Sequence, residues 1–215
     1  KKIVGAVVTF RDITERKKNE ERILHLSYHD MLTDLYNRRY FESALMECNQ
    51  NSSSSAGILA FDVNGLKITN DIFGHATGDK LLVEFSSVLK DVCSKNSIIA
   101  RVGGDEFAVL ITHTNEANIK EVKSQIKAKI RKKTSDITLL SVSIGYALQS
   151  DPSVSLMDVY KTADNMMYKE KIDDKERFEQ RIIDHINDEF YEKNTYEYDH
   201  AVLVERLCKY LAKAV

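Results

Sequence analysis

The fold is decided by the stretch Ile98-Ile99-Ala100-Arg101-Val102-Gly103-Gly104-Asp105-Glu106-Phe107-Ala108-Val109-Leu110-Ile111. Its two halves, residues 98–102 and 107–111, are apolar and rich in β-branched side chains, which predicts two strands. The two glycines between them predict a tight hairpin, because glycine accepts positive φ angles. They also leave room for a ligand near the backbone, so the Asp105 carboxylate stands where a functional group is useful.

Strand and helix periodicities alternate on both sides of this hairpin. Before it, the pattern predicts a strand from Gly57 to Val63, a short helix ending near Phe73-Gly74, and a longer helix. The longer helix places six apolar residues on one face: Leu81, Leu82, Phe85, Val88, Leu89 and Val92. After the hairpin come a predicted helix from Glu116 to Lys132, a strand from Ile137 to Ala147 and a helix from Leu156 to Lys171. This order favours an α/β sandwich with helices packed on an antiparallel sheet.

The first residues predict a strand and then a polar helix. Ile3 to Phe10 is rich in β-branched residues, as strands are. Asp12 is a candidate helix cap, and Glu15 would complete a capping box with it. The helix that follows, to about Ser27, has few apolar positions, so we expect it to pair with a copy of itself or to bridge two domains.

Composition excludes several classes of protein. The 215 residues carry a formal net charge of -2, which argues against a nucleic-acid partner held by bulk positive charge. The basic stretch from Lys120 to Lys133 is better explained as the solvated face of a helix. Three widely spaced cysteines suggest reduced thiols and a cytoplasmic location. No apolar run approaches the ~20 residues that a membrane span needs.

Two aspartates stand at strand ends in this pattern. Asp62 lies near the end of a buried strand, and Asp105 follows the hairpin glycines. If that strand and the hairpin are neighbours in one sheet, the two carboxylates meet at its rim and repel unless a cation intervenes. Oxygen ligands without His or Cys favour Mg²⁺ or Mn²⁺, usually carried in with a nucleotide phosphate. The alternative is that both are ordinary turn aspartates.

The chain resembles a known family along most of its length. Gly103-Gly104-Asp105-Glu106-Phe107 is the signature of the GGDEF family, the diguanylate cyclases, and further motifs agree in order and spacing. They lie at residues 29–39, 61–71, 73–75, 78–79 and 163–164, with Tyr168 and Lys171 closing the set. The resemblance implies a nucleotidyl-cyclase-like (ferredoxin-like) fold: a central antiparallel sheet flanked by helices, with helical N- and C-terminal extensions.

The resemblance also implies an activity. Two GTP molecules would condense into cyclic di-GMP and two pyrophosphates in a homodimer that uses Mg²⁺ or Mn²⁺. Asp62, Asp105 and the backbone carbonyl of Val63 would hold the metal. Asn70 and Asp79 would bind the guanine. The carboxylate of Asp79 would accept hydrogen bonds from the ring N–H and the 2-amino group, and adenine lacks both of these donors.

The remaining roles concern phosphate and catalysis. The backbone of residues 64–67 would wrap the terminal phosphates at Gly65 and Leu66, and Lys67, Lys171 and Lys175 would neutralise their charge. The resemblance implies that the catalytic residues are Asp105, Lys67 and Glu106. Asp105 would accept the proton of the 3′-hydroxyl group.

The chain departs from the family pattern in three places. Asn64 stands where the family often has Asp, so one carboxylate is missing beside the metal site. The family usually continues past Lys171 with Gly-Arg-Asn, whereas this chain has Asp174-Lys175-Glu176, which predicts weaker GTP binding. Ser94-Lys95-Asn96-Ser97 occupies the place of an Arg-x-x-Asp product-inhibition motif, so that inhibitory site is expected to be absent.

The flanks resemble other modules, which divides the chain into three segments. Residues 1–26 resemble the end of a PAS domain plus a signalling helix, residues 27–176 form the GGDEF domain, and residues 177–215 resemble the helical start of a truncated HD-GYP domain. The chain opens without Met, which suggests a piece of a longer protein. A second interpretation therefore stays open, in which the GGDEF domain is a catalytically weak GTP-binding regulatory module for a downstream phosphodiesterase.

Overall fold

The computed structural model describes residues 12–51, 55–133, 140–192 and 198–214. The strand expected at Ile3 to Phe10 lies outside these ranges, as does the start of the one expected from Ile137. Five strands and seven helices follow one another along the described chain. They are α1 (Thr14–Tyr28), β1 (Tyr36–Asn37), α2 (Arg38–Asn51), β2 (Ala56–Val63), α3 (Leu66–Phe73), α4 (His75–Val92), β3 (Ile98–Arg101), β4 (Glu106–Thr112), α5 (Glu116–Lys133), β5 (Val142–Leu148), α6 (Leu156–Glu192) and α7 (Tyr198–Ala214).

The strands form one sheet in the order β1-β3-β4-β2-β5. The pairs β3–β4, β4–β2 and β2–β5 are antiparallel, which confirms the predicted fold class of a central sheet flanked by helices. The sheet is nevertheless mixed, because β1 runs parallel to β3. The sequence did not predict β1, since two residues are too short to give a strand periodicity.

Strand β2 lies between β4 and β5 in the sheet and is buried along its whole length. Its alternate side chains enter two different cores, because successive strand residues point to opposite faces. On one face, Phe61 packs with Phe85 of α4 and Phe107 of β4 in edge-to-face contacts, with ring centroids 5.6 and 5.0 Å apart. On the other face, Ile58 packs with α2 and α6. Helices therefore cover both faces of the sheet, and the candidate site lies at the rim where β2 ends and β4 begins.

The helix ends differ in two places from the sequence prediction. Helix α6 does not stop at Lys171 but continues to Glu192 as one uninterrupted helix. The capping box predicted at α1 is wrong: Asp12 Oδ1 accepts a hydrogen bond from Thr14 N at 2.8 Å, and the N-cap is Ile13, which makes no side-chain cap. Asp12 lies one residue too early for a capping box and closes a local turn instead.

Helix α7 packs against α3. Leu203, Leu207 and Tyr210 contact Ile68 and Ile72, which are buried on the outer side of α3. Two other apolar residues of α7, Val204 and Leu211, are exposed. Nowhere in the described part of the chain is a helix both long and apolar enough to cross a bilayer.

Candidate functional site

The candidate site lies where β2 ends beside the β3–β4 turn. In the antiparallel register Asp62 faces Glu106, and the next residue, Val63, donates its backbone N–H to Asp105 O at 2.9 Å. The two aspartates therefore stand on adjoining strand ends, as the sequence predicts. Beyond Val63 the chain turns directly into α3, so a ligand at this rim meets the strand ends and the start of a helix together.

Asp62 is an aspartate in an unfavourable place for its charge. It is only 4% exposed, and burial raises the pKa of its carboxyl group, as do the neighbouring charges of Asp105 and Glu106. Lys171 opposes this shift, since its Nζ donates to Asp62 Oδ2 at 2.6 Å. The second oxygen, Oδ1, is buried and has no hydrogen-bond partner among the described residues. A buried carboxylate oxygen without a partner fits a divalent cation, which would satisfy it and neutralise the local charge.

The hairpin turn uses its glycines differently from the prediction. Neither Gly103 nor Gly104 has a positive φ; among the glycines of the described ranges only Gly65 and Gly74 do. The expectation of a positive-φ Gly-Gly turn is therefore wrong. A Cβ on Gly103 would lie 2.4 Å from Glu106 Oε2, whereas one on Gly104 would meet nothing within 4 Å. Gly103 thus makes room for Glu106, and Gly104 faces open space.

A residue that the sequence gave no function, Arg101, holds this turn. Its guanidinium donates to Gly104 O at 2.7 and 3.2 Å, and its Nη1 also reaches both oxygens of Asp30, at 3.1 and 3.2 Å. Burial acts to raise the pKa of Asp30, but hydrogen bonds from Thr33 and the Arg101 charge together lower it. Asp30 lies in the motif at residues 29–39, and this motif was the sequence signal that could have indicated a role for Asp30 in such a contact.

The loop after β2 turns into α3 at a glycine. Gly65 is the N-cap of α3 in the left-handed region, with φ 71°, and makes no side-chain cap. The first N–H groups of α3, from Leu66 onward, are therefore not capped by this residue's side chain. L-residues rarely adopt this φ, which explains the glycine. Lys67, in the first turn of α3, is exposed.

Asn64 faces the sheet rather than the rim. Its side chain is buried, with Nδ2 donating to Ser141 Oγ at 3.2 Å and Oδ1 accepting from Ser143 Oγ at 3.0 Å. The amide therefore links the end of β2 to β5, and an Asp could not donate as this amide does. The departure from the family's usual Asp thus has a structural explanation, which the sequence did not reveal.

The predicted guanine residues lie on neighbouring helices. Asn70 projects from α3, and Asp79 is exposed on α4. Asn70 Oδ1 is buried and lacks a hydrogen-bond partner within the part of the chain that the structure describes. A Cβ on Gly78 would lie 2.0 Å from this oxygen, so only glycine at position 78 leaves Asn70 its present position. Gly78 is thus a positioning residue that sequence analysis quoted only as part of a motif.

Lys171 is held near the rim by the anchoring of α6. The preceding residue, Glu170, accepts from Ile144 N at 3.1 Å and from Lys123 and Lys127 of α5 at 2.6 and 2.8 Å. Burial opposes ionisation of Glu170, but the two lysines lower its pKa overall. Helix α6 is thereby fixed to β5 and α5 at this point. The backbone of Lys175 belongs to α6, but its side chain lies outside the described residues.

This chain belongs to a known family. Residues 27–177 match the family described as diguanylate cyclase, GGDEF domain. Among curated relatives, the signaling protein YkoW of Bacillus subtilis is 36% identical over 179 residues, which are 80% of this chain and 22% of YkoW. Diguanylate cyclase DgcM of Escherichia coli is 30% identical over 171 residues, covering 77% of this chain and 41% of DgcM. The chain thus spans well under half the length of these relatives.

Other relatives carry different names, and solved structures share the fold. Cyclic di-GMP phosphodiesterase PdeR of Escherichia coli is 30% identical over 165 residues, which are 74% of this chain and 25% of PdeR. The coiled coil and GGDEF domain of DgcB from Caulobacter crescentus, in complex with c-di-GMP, superposes with a TM-score of 0.67. Its sequence is 25% identical, and the match covers 74% of this chain and 88% of DgcB.

Proposed function

We propose that the chain is a cytoplasmic diguanylate cyclase that condenses two GTP molecules into cyclic di-GMP and two pyrophosphates. One observation carries the proposal: a buried carboxylate, Asp62, keeps an unsatisfied oxygen at the rim where Asp105 and the glycine-capped start of α3 meet. The Lys171 ion pair satisfies only Oδ2, so a purely structural aspartate would still leave Oδ1 unsatisfied where burial and like charges oppose its ionisation.

A Mg²⁺ or Mn²⁺ ion fits the donor set at this rim. Asp62, Asp105 and the carbonyl of Val63 would hold it, and all three donors are hard oxygens. Bound there, the ion supplies charge neutralisation and polarises phosphate oxygens. The local charge favours this role, because the carboxylates of Asp105 and Glu106 both help to raise the pKa of Asp62 at the rim.

The protein residues then bind, orient and transfer a proton. The N–H groups at Gly65 and Leu66 receive the terminal phosphates, with Lys67, Lys171 and Lys175 balancing their charge. Asp105 accepts the proton of the 3′-hydroxyl. The 3′-oxygen forms a bond to the α-phosphorus of the second GTP, the bond from that phosphorus to the bridging oxygen of the β-phosphate breaks, and pyrophosphate leaves. Glu106 shapes the turn that holds Asp105.

Guanine selection is assigned to Asn70 and Asp79. The carboxylate of Asp79 accepts hydrogen bonds from the ring N–H and the 2-amino group, and the Asn70 amide pairs with the remaining edge. Adenine would leave the carboxylate unpaired, at a cost of about 1–3 kcal/mol.

A homodimer is required by this reaction, because each subunit holds one GTP. The described part of α1 supports such pairing, since Ile23, Leu24 and Leu26 are largely exposed, with Ile23 at 67%. Exposed apolar residues on a polar helix gain stability from a second copy of the helix. The assignment of residues 1–26 to a PAS end and of 177–215 to an HD-GYP start remains a prediction from resemblance.

The proposal is tested by incubating the protein with GTP and Mg²⁺ at a concentration that forms dimers. We expect cyclic di-GMP and pyrophosphate in a 1:2 ratio, and no product from Asp105→Ala. Asp151→Asn is a matched control, because Asp151 follows the far end of β5, where its neighbours pair with the start of β2. Absence of product from a demonstrably dimeric protein would refute the proposal.

A second candidate is a GTP-binding regulatory module without turnover. It is favoured by the ion pair that already ties Lys171 to Asp62, and by relatives such as PdeR that are named phosphodiesterases. Calorimetry with GTP beside the product assay separates the two functions. Binding at micromolar GTP with no product favours the module, whereas turnover that depends on Asp105 favours the cyclase.

A further inference from the structure

Three side chains whose atoms can bind a metal ion meet where α1 joins the following segment. His25 lies in the last turn of α1, His29 is its C-cap, and Asp34 follows in the loop before β1. Their ligand atoms all lie within 4.8 Å of one another. His25 Nε2 and Asp34 Oδ1 are 3.2 Å apart. This cluster is separate in kind from the rim at Asp62, because it contains two imidazoles.

The spacing of the two histidines suits a shared ion. Residues four apart on a helix lie on the same face, and paired histidines at this spacing are a recurring metal-binding arrangement. Here the rings are stacked, with centroids 4.0 Å apart and planes 4° from parallel. Because a metal ion lies in the plane of each imidazole that binds it, one of the two rings has to turn out of this stack when they share an ion.

The backbone around the cluster holds its members in place. His29 N donates to His25 O at 2.9 Å, and Asp34 N donates to Asp30 O at 2.9 Å. Asp34 itself has φ 56°, a conformation that aspartate tolerates better than most residues. The His29 ring also lies 4.7 Å from that of Tyr36 in β1. The donors are thus presented by a folded segment and not by a loose loop.

The remaining contact of His29 leaves Nε2 available as a ligand in the tautomer that carries its proton on Nδ1. Its Nδ1 lies 3.4 Å from the backbone carbonyl oxygen of Asp34. A ring N–H that donates to a carbonyl leaves the other nitrogen, Nε2, with a free lone pair. Metal-bound histidines commonly make this second contact, which fixes their tautomer and orientation.

We propose that His25, His29 and Asp34 bind a divalent transition-metal ion of the zinc class, with water completing the coordination. Two imidazoles and one carboxylate favour Zn²⁺, Ni²⁺ or Cu²⁺ over Mg²⁺. The His25–Asp34 ion pair is exposed on both sides and would stabilise little by itself. A bound ion would instead join the last turn of α1 to the segment that carries Asp30, and through Arg101 to the turn at Gly104.

The test titrates Zn²⁺ into the chelator-treated, nucleotide-free protein by calorimetry and repeats the titration with Co²⁺, whose visible absorption reports nitrogen ligation. We expect one nitrogen-ligated site, weakened on the order of 100-fold by His25→Ala and by Asp34→Asn, since ligand loss exceeds the 10–100-fold cost of losing an outer contact. Asp34→Asn retains a residue that accepts positive φ, and His25 is exposed, so both variants should fold.

Two controls decide the origin of any binding. His113→Asn removes an exposed histidine outside the cluster while keeping a residue suited to its φ of 54°, and should leave affinity unchanged. Asp62→Asn removes the rim carboxylate and should also leave the site intact. Equal Zn²⁺ affinity in the wild type, His25→Ala and Asp34→Asn would overturn the proposal. Loss of the site only in Asp62→Asn would do the same.

Discussion

The two halves of the candidate site are built on different supports. The carboxylate half, Asp62 and Asp105, stands on paired strands whose register is fixed by a fully buried core. The half proposed to bind the base, Asn70 and Asp79, stands on α3 and α4, where Asp79 is exposed and α3 is eight residues long. Helix α7 backs α3 from outside through Leu207 and its neighbours.

The two halves therefore differ in how much a functional arrangement lowers the stability of the fold. The sheet holds Asp62 rigidly in an environment that opposes its charge, so function there costs stability. The helical half costs little stability, but its geometry depends on small local features such as the space beside Gly78. Substitutions in both halves should therefore impair function without lowering stability, but for different reasons: relief of a buried charge at Asp62 and a gain in helix propensity at Gly78.

The largest effect is expected from Asp62→Asn. Loss of a metal ligand should lower turnover on the order of 10³-fold, measured as cyclic di-GMP formed at saturating GTP and Mg²⁺. Folding raises the pKa of Asp62, so its protonated form is favoured in the folded state and its stabilising contribution is lost as pH rises through that raised value. At pH 7 the variant should therefore unfold at the same or a higher temperature than the wild type.

The pH dependence supplies the control for this prediction. Below the unfolded pKa of an aspartate, about 3.9, both proteins carry a neutral group at position 62 and the difference in melting temperature should shrink. A variant that melts well below the wild type at pH 7 would contradict the view that the charge of Asp62 is a burden on the fold.

The next largest effect is expected from Gly78→Ala. The new methyl group would lie 2.0 Å from the present position of Asn70 Oδ1 and displace it, raising KM for GTP about tenfold through lost hydrogen bonds. Stability should not fall in parallel, because alanine is favoured over glycine in a helix by up to ~1 kcal/mol.

A double-mutant cycle checks the cause of this effect. In an Asn70→Ala background, Gly78→Ala should change KM less than about threefold, because the displaced group is already gone. Additive losses in KM would mean that Gly78 acts on some feature other than Asn70.

A smaller effect is expected from Lys171→Met, which breaks the link between α6 and Asp62. Because Lys171 is 41% exposed, its charge is screened and KM for GTP should rise only about threefold to tenfold. The same change removes the cation that competes for Asp62 Oδ2, so half-maximal Mg²⁺ should fall in nucleotide-free binding measurements. An unchanged KM would indicate that Lys171 serves Asp62 alone and not the phosphates.

The smallest effect is expected from Asn64→Asp, which restores the residue common in the family. The amide donor to Ser141 is lost and a further carboxylate is placed beside Asp62, so stability to urea should fall by about 1 kcal/mol. Activity should change less than about fivefold, because the Asn64 side chain bonds to β5 and not to the rim. A large gain in activity would show that this position contacts the metal or substrate.

Much of the site could be predicted because its residues occur at fixed distances along the chain. Asp62 lies at the end of a buried apolar run, and Gly65 lies in the turn between that run and α3. Asp105 comes directly after the glycines of the hairpin. Local sequence also indicated where α3 ends, at Gly74, and which face of α4 is buried. These features depend on neighbours within a few residues, which is the range over which pattern is informative.

Other features could not be predicted because their partners are far apart in sequence. Arg101 bonds to Asp30, Asn64 bonds to Ser141 and Ser143, and Lys171 reaches Asp62 across 109 positions. Each side chain alone has an ordinary alternative as a surface or strand residue. Only the folded chain brings the members of each pair together.

The sequence by itself therefore determined the family, the order of the elements and the carboxylates that meet at the rim. Only the folded structure shows that Asp62 is a buried carboxylate with one unsatisfied oxygen. It also shows that the Asn64 side chain bonds toward β5, and that Gly78 leaves the space that Asn70 occupies. The physical reason is that burial, desolvation and close contact are properties of the packed chain. Periodicity and motif spacing report which residues are near a turn, but not what surrounds them.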